Sequence, residues 1–355
     1  MKIKVFSLSS LHVLLLMLGV LSPRFIGAQG MPMTGGQPAM PPGQGVSGAE
    51  TVQLSIPQYV AFFSEKPGNV LWGRNDGLKL INIDEKQVVA QLLENEPISS
   101  LAVNPANLNS GYVATASGRV YHVQFSEGKA NLEIVPQLSS EPVGRIRFIL
   151  YNPHEPLIIL AAEDTKIYRS EDGGKSWLVE SPAILTPEMG QSVIMMMPDP
   201  ARSSNYLVTT PDYGRLIGDW KSQSLRSIPE KAIPHGYVAK RSGISYIPIG
   251  DNSEYFNFKN MNLMPLQVVS HPESSNQFFI AGMGNSPVGL QIKDNRYEVD
   301  FMNRRCGISY TVSIDPANHE RIIISNDKGI DLSNNRGADW KAIDFTYQSK
   351  PEKKQ

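Results

Sequence analysis

Short apolar strands recur along this chain at a steady pitch, usually led by glycine or a small polar residue. They read GLKLINI (77–83), GRVYHV (118–123), TKIYRS (165–170), GRLIG (214–218), SEYFNF (253–258), VGLQIK (288–293) and GIDLS (329–333). Their first apolar positions are Leu78, Val120, Ile167, Leu216, Tyr255, Leu290 and Ile330, spaced 35 to 49 residues apart with a mean of 42. A second mark travels with the first. An alternating apolar strand runs into an X-Pro turn and a further apolar strand follows, as in SSLAVNPANLNSGYVAT (99–115), RIRFILYNPHEPLIILAA (145–162), SVIMMMPDPARSSNYLVTT (192–210), LQVVSHPESSNQFFIAG (266–282) and YTVSIDPANHERIIIS (310–325). YVAFFSEKPGNVLWG (59–73) fits more loosely, and 229–262 is the weakest copy. Proline presets the turn and cannot continue a strand ladder, so it separates the two strands cleanly.

Each unit therefore predicts four strands in roughly 42 residues, with β-branched and aromatic enrichment and almost no helical periodicity. A lone four-stranded sheet has two apolar faces to cover, and radial stacking covers both while leaving only short edges. The expected fold is all-β: a β-propeller of four-stranded antiparallel blades. Seven copies predict seven blades, or six if the weak copy is an insertion. The strand TVQLSI (51–56) is placed to close the ring on the last blade. The inner strands should be those ending in X-Pro turns. IMMM (194–197) then reads as an inner strand buried on both faces, and His271 as a turn residue filling the slot that holds Asn or Asp elsewhere.

Two octets directly follow the recurring third strand. Ser170, Asp172, Gly174, Ser176 and Trp177 stand at the spacing S-x-D-x-G-x-S-W, and Ser333, Asn335, Gly337 and Trp340 repeat the offsets 163 residues later. A catalytic loop has no reason to recur in register with a fold, whereas a structural turn does. Asp or Asn can accept backbone N–H groups of its own turn, glycine supplies a positive φ, and tryptophan can bury a large area as it opens the fourth strand. SEDGGKSW resembles the Asp-box, the bacterial neuraminidase repeat of sialidases, sortilin-type receptors and the photosystem II assembly and stability factors. The match is strong at Ser170–Trp177 and partial at Ser333–Trp340. The resemblance implies a fold element on the blade periphery and carries no activity. The assembly-factor likeness implies a role in building or stabilising a membrane complex.

Composition narrows the function further. With 33 Lys and Arg against 34 Asp and Glu, the formal net charge is −1, which gives no electrostatic case for nucleic acid. Residues 1–28 read as a signal peptide, with Lys2 and Lys4 before an apolar core from Leu11 to Leu21 and a small residue, Ala28, at the cleavage site. Export to the periplasm or the exterior is expected, with no transmembrane helix after cleavage. Residues 29–49 hold no charge and are rich in Gly, Pro and Gln, a flexible linker. The propeller should span 50–346 and a solvated tail 347–355. Cys306 is the only cysteine, so the core must hold the fold without an intrachain disulfide.

The scattered histidines form no zinc-ligand spacing, and neither metal nor cofactor is expected. A sialidase-like glycoside hydrolase, or a carbohydrate-binding propeller, is the rival to a binding scaffold. A sialidase would need an arginine triad, a Tyr–Glu pair and an aspartic acid, and its early Arg-Ile-Pro signature is absent. The scaffold reading expects a non-enzymatic platform for a protein partner or membrane-complex subunits, with a glycan as another candidate ligand. Arg304 and Arg305, before the last unit, and Arg145 and Arg147, at the equivalent place in the third, are the candidate partner-binding residues.

Overall fold

A computed structural model describes residues 57–135, 138–139 and 143–180, then 193–301 with interruptions, and 308–345. Residues 1–56, which hold the expected signal peptide, linker and closing strand, lie outside the described residues, as do Arg304, Arg305, Cys306 and the expected tail, 347–355. Every element among the described residues is a strand, and none of them forms a helix long and apolar enough to cross a membrane.

Six antiparallel sheets of four consecutive strands form the blades. Blade 1 comprises Tyr59–Phe62, Asn69–Arg74, Gly77–Asn82 and Gln87–Glu94. Blade 2 comprises Ile98–Val103, Ser110–Thr115, Val120–Ser126 and Lys129–Ile134. Blade 3 comprises Phe148–Tyr151, Ile159–Ala162, Ile167–Ser170 and Leu178–Glu180. Blade 4 comprises Met195–Pro198, Asn205–Thr210, Gly214–Asp219 and Leu225–Ser227. Blade 5 comprises Leu263–His271, Ser274–Gly284, Val288–Lys293 and Arg296–Phe301, and blade 6 Ser309–Ile314, Ile322–Asn326, Gly329–Ser333 and Lys341–Ala342.

The first strand of each blade packs beside the first strands of its neighbours, and blade 6 returns to blade 1, so these six strands form a closed inner ring. They are the strands that end at the X-Pro turns. Of the two expected counts, seven or six, the described residues show six. Among the described residues the weak copy contributes a two-stranded sheet, Tyr246–Ile249 with Glu254–Asn257. The inner strand of blade 4 packs directly beside that of blade 5, so this hairpin is an insertion in the ring.

The core lies between blades. Phe63, Leu71, Leu80 and Val113 fill the seam of blades 1 and 2; Tyr112, Ile149, Ile159 and Tyr168 fill that of blades 2 and 3. Leu160, Met196, Tyr206 and Trp220 fill the third seam, and Met195, Met196 and Met197 are all buried, as an inner strand requires. Ile324 and Phe279 join blades 5 and 6, while Ile323, Val60 and Trp72 close blade 6 on blade 1.

The X-Pro turns repeat one device. The side-chain oxygens of Asn104, Asn152 and Asp315 each accept the amide two residues on, from Ala106, His154 and Ala317, all at 2.9 Å. This Asx turn caps the strand before the proline redirects the chain. Because the strands alternate in direction, inner strands begin on one face of the wheel, here the front. X-Pro turns and the octets lie on the back.

Candidate functional site

The two octets are built alike. Ser170 Oγ accepts from the Gly174 amide at 2.7 Å and donates to Asp172 Oδ1 at 2.8 Å. Asp172 in turn accepts the Ser176 amide at 2.9 Å and the Ser176 hydroxyl at 2.6 Å. The Ser176 hydroxyl and amide therefore hold the Asp172 carboxyl down at about 2. In the second octet the Gly337 amide donates to Ser333 Oγ at 2.7 Å and the Asp339 amide to Asn335 Oδ1 at 2.9 Å. Gly174 and Gly337 share a φ of 88°. The backbone is anchored identically too: the Gly173 amide donates to Leu157 O and the Arg336 amide to Glu320 O, each at 2.9 Å. The serine and the Asp or Asn side chains of both octets are thus engaged by their own turns.

Each octet also meets the preceding blade. The Tyr112 hydroxyl of blade 2 donates to Gly173 O at 2.6 Å, and its ring stands edge-on to Trp177 at 6.3 Å. Burial, with the Asp172 and Glu133 carboxylates, pushes the Tyr112 phenol up to about 12, so it remains a donor. Trp177 Nε1 donates to Gly174 O at 3.1 Å. Phe279 of blade 5 takes the place of Tyr112 and packs with Trp340, keeping the apolar contact without a hydroxyl.

The front face holds the remaining candidate chemistry. The segment entering blade 3 is clamped on three sides. Ser99 Oγ donates to Ile146 O at 2.6 Å, and the Arg147 amide to Ala162 O at 2.8 Å. Gly118 lies against the carbonyls of Val143 and Gly144 where a Cβ would collide, and a Cβ on Gly144 would come within 2.9 Å of Glu163 Oε2. Arg145 and Arg147 are both half-buried there. Arg147 pairs with Asp164, and burial pulls its guanidinium below the ordinary range while Asp164 works against that shift. Arg145 Nε is buried without a hydrogen-bond partner. Tyr59, first residue of the blade 1 inner strand, sits close enough to Arg145 that the guanidinium partly offsets the upward pull of burial on its phenol.

Of the four arginines singled out from sequence, the structure brings Arg145 and Arg147 together; Arg304 and Arg305 lie outside the described residues. Tyr59 was missed, because nothing in the sequence relates the start of blade 1 to the start of blade 3. Among the described residues two arginines, not three, converge here. Tyr168 and Glu163 do form a hydrogen-bonded pair nearby, but Tyr168 is fully buried in the seam of blades 2 and 3. No group of three or more His, Cys, Asp or Glu side chains converges among the described residues.

No protein-family model matches the chain, and no curated protein matches it in sequence. Among solved structures it is similar to the GH74 enzyme of Niastella koreensis, at 16% identity and a TM-score of 0.47, over 81% of this chain and 46% of that one. The chain thus spans less than half the length of that enzyme. It is also similar to the Cps50 (Swd1) β-propeller domain of Myceliophteria thermophila, at 12% identity and a TM-score of 0.45, over 83% of this chain and 88% of that one. On its own strand order and closed inner ring, the chain is an all-β propeller of six four-stranded blades.

Proposed function

We propose that this propeller is an exported, non-enzymatic scaffold that binds a protein partner through its front face. One observation carries the reading: the octets' serine and Asp or Asn side chains are engaged within their own turns, while Arg145, just ahead of the blade 3 inner strand, has no ion pair among the described residues and a buried Nε without an acceptor. Loops held by a rigid framework are where recognition residues concentrate, and the clamped segment 143–147 fits that description. The octets are, on this reading, Asp-box turns that fasten third and fourth strands.

The function is tested by affinity capture of the tagged full chain from its native envelope, followed by mass spectrometry. A defined set of proteins should co-purify with the wild type and be depleted with the Arg145→Ala/Arg147→Ala variant. Equal capture by both proteins would remove the front face from the account. Release of a fluorophore from an aryl sialoside or aryl glucoside by the purified chain would replace the scaffold with a hydrolase.

A further inference from the structure

The two front-face arginines are not equivalent. Arg147 is neutralised by Asp164, and its amide is tied to Ala162. Glu163, the other acid of that turn, is held by the Tyr168 hydroxyl. The Nε–H groups of both arginines are buried without a well-aligned acceptor, but only that of Arg147 lies against a carboxylate, Asp164; Arg145 has no ion pair among the described residues. A buried donor left without an acceptor is costly and rare in folded proteins. Its planar fork of N–H groups matches the two oxygens of a carboxylate. Tyr59 adds a phenol beside it, from an inner strand two blades away.

The position of Tyr59 in the ring strengthens this. Four residues ahead of the X-Pro slot, blades 2, 5 and 6 carry Ser100, Gln267 and Thr311. Each of these accepts an inner-strand amide of the following blade, from Ile149, Val312 and Val60 respectively. Tyr59 occupies the same register position in blade 1. No bond from its side chain to such an amide is seen among the described residues, and its phenol is instead close enough to the Arg145 guanidinium to feel its charge. The local charge count also selects the ligand. Arg147 is matched by Asp164, and Glu163 is held by a neutral hydroxyl, so the two arginines face two acids; that balance leaves no excess charge to hold a dianion, and a planar guanidinium beside a neutral O–H suits a singly charged carboxylate.

We propose that Arg145 and Tyr59 form a seat for one carboxylate group presented by a protein partner at the channel mouth, which rests on the scaffold reading above. The test uses the full chain with ¹⁵N-labelled arginine. Sodium acetate is titrated against sodium chloride at matched ionic strength while the Arg145 Nε–H resonance is followed. Two pentapeptides form further arms: one with blocked ends and a central glutamate, one of glycines with a blocked amine and a free C-terminus. Sodium phosphate forms the last.

The resonance should shift saturably with acetate and with at least one peptide, and the responding peptide identifies side chain or terminus as the source. Arg145→Lys should weaken acetate binding about tenfold. Tyr59→Phe, which keeps the packing, should weaken it about threefold. An acetate response no larger than that of chloride would overturn the seat. So would unchanged binding in Arg145→Lys, acetate binding with neither peptide bound, or phosphate binding tighter than acetate. If acetate and a peptide bind but no partner is captured, the scaffold reading fails and the seat stands. If capture succeeds with Arg145→Lys unaffected, the scaffold stands and the seat falls.

Discussion

Thr311 Oγ1 in blade 6 accepts the backbone amide of Val60 in blade 1 at 3.0 Å. The contact joins neighbouring blades whose residues lie 251 apart in sequence, and it recurs around the ring. Ser100 accepts from Ile149 at 2.9 Å, and Gln267 accepts from Val312 at 2.7 Å, at the same register position. An inner strand exposes its free edge to the channel, and an unmatched amide there would be a liability. A neighbouring side chain supplies the acceptor at three of the six seams. At the others, Tyr59, Phe148 and Met195 hold the equivalent position. Blade 6 adds further bonds to blade 1: the Phe62 amide to Ser313 Oγ at 3.2 Å, Ser325 Oγ to Gln58 O at 2.7 Å, and Arg321 to Asp84 at 2.5 Å.

Replacing Thr311 by valine keeps the shape and removes the acceptor. The Val60 amide is then buried without a partner, at a cost of about 1–3 kcal/mol. Urea denaturation should show that loss, and Thr311→Ser should recover most of it. Equal midpoints for wild type and Thr311→Val would show that the seam does not depend on this bond.

Gly174 combines a φ of 88° with a site where a Cβ would strike the Tyr112 hydroxyl. Gly128 has a φ of 76° but open space around it. Gly128→Ala should therefore cost only the backbone term, about 1 kcal/mol. Gly174→Ala should cost clearly more, because the ring of Tyr112 must also move. Thermal melts of the two variants measure the difference directly.

Asp172 contributes a pH dependence of known sign. Its folded carboxyl is held near 2, below its value in the unfolded chain, chiefly by Ser176. The stability it adds is complete above the unfolded value near 3.8 and is lost as pH falls towards 2. Asn335 fills the same place in blade 6 and has no proton to gain. Asp172→Asn should accordingly flatten the melting temperature between pH 4 and pH 2 relative to wild type. An unchanged acid slope would assign the dependence to other carboxylates.

Gly118 ties fold to function. Its φ is 83°, and a Cβ would press on the carbonyls of Val143 and Gly144, just ahead of Arg145. Gly118→Ala should lower stability and also weaken acetate binding at Arg145, whereas Gly128→Ala should leave acetate binding unchanged. Calorimetric titration of both variants separates the two effects.

Much of the fold could be read from the chain because it rests on local chemistry. X-Pro slots with Asn or Asp mark inner strands through an Asx turn, and the octets mark third-to-fourth turns through serine, Asp or Asn, and glycine. The blade count was less readable, since the hairpin at Tyr246–Asn257 carries a strand pattern without the packing that would seat it in the ring. The polar residues at Ser100, Gln267 and Thr311 stand at a constant offset from the turn, yet such a residue in an alternating strand reads equally well as solvent-facing. The front-face site was half readable. Two nearby arginines suggested it, but only the closed ring separates Arg147, matched by Asp164, from Arg145, approached by Tyr59.

A density map of the purified protein tests the ring itself. Six four-stranded blades around one channel are predicted, with the inner strand Met195–Pro198 directly beside Leu263–His271 and the Thr311 hydroxyl on the Val60 amide. A seventh four-stranded sheet wedged between those two strands, or an open arrangement in which Val60 and Thr311 never meet, would contradict it.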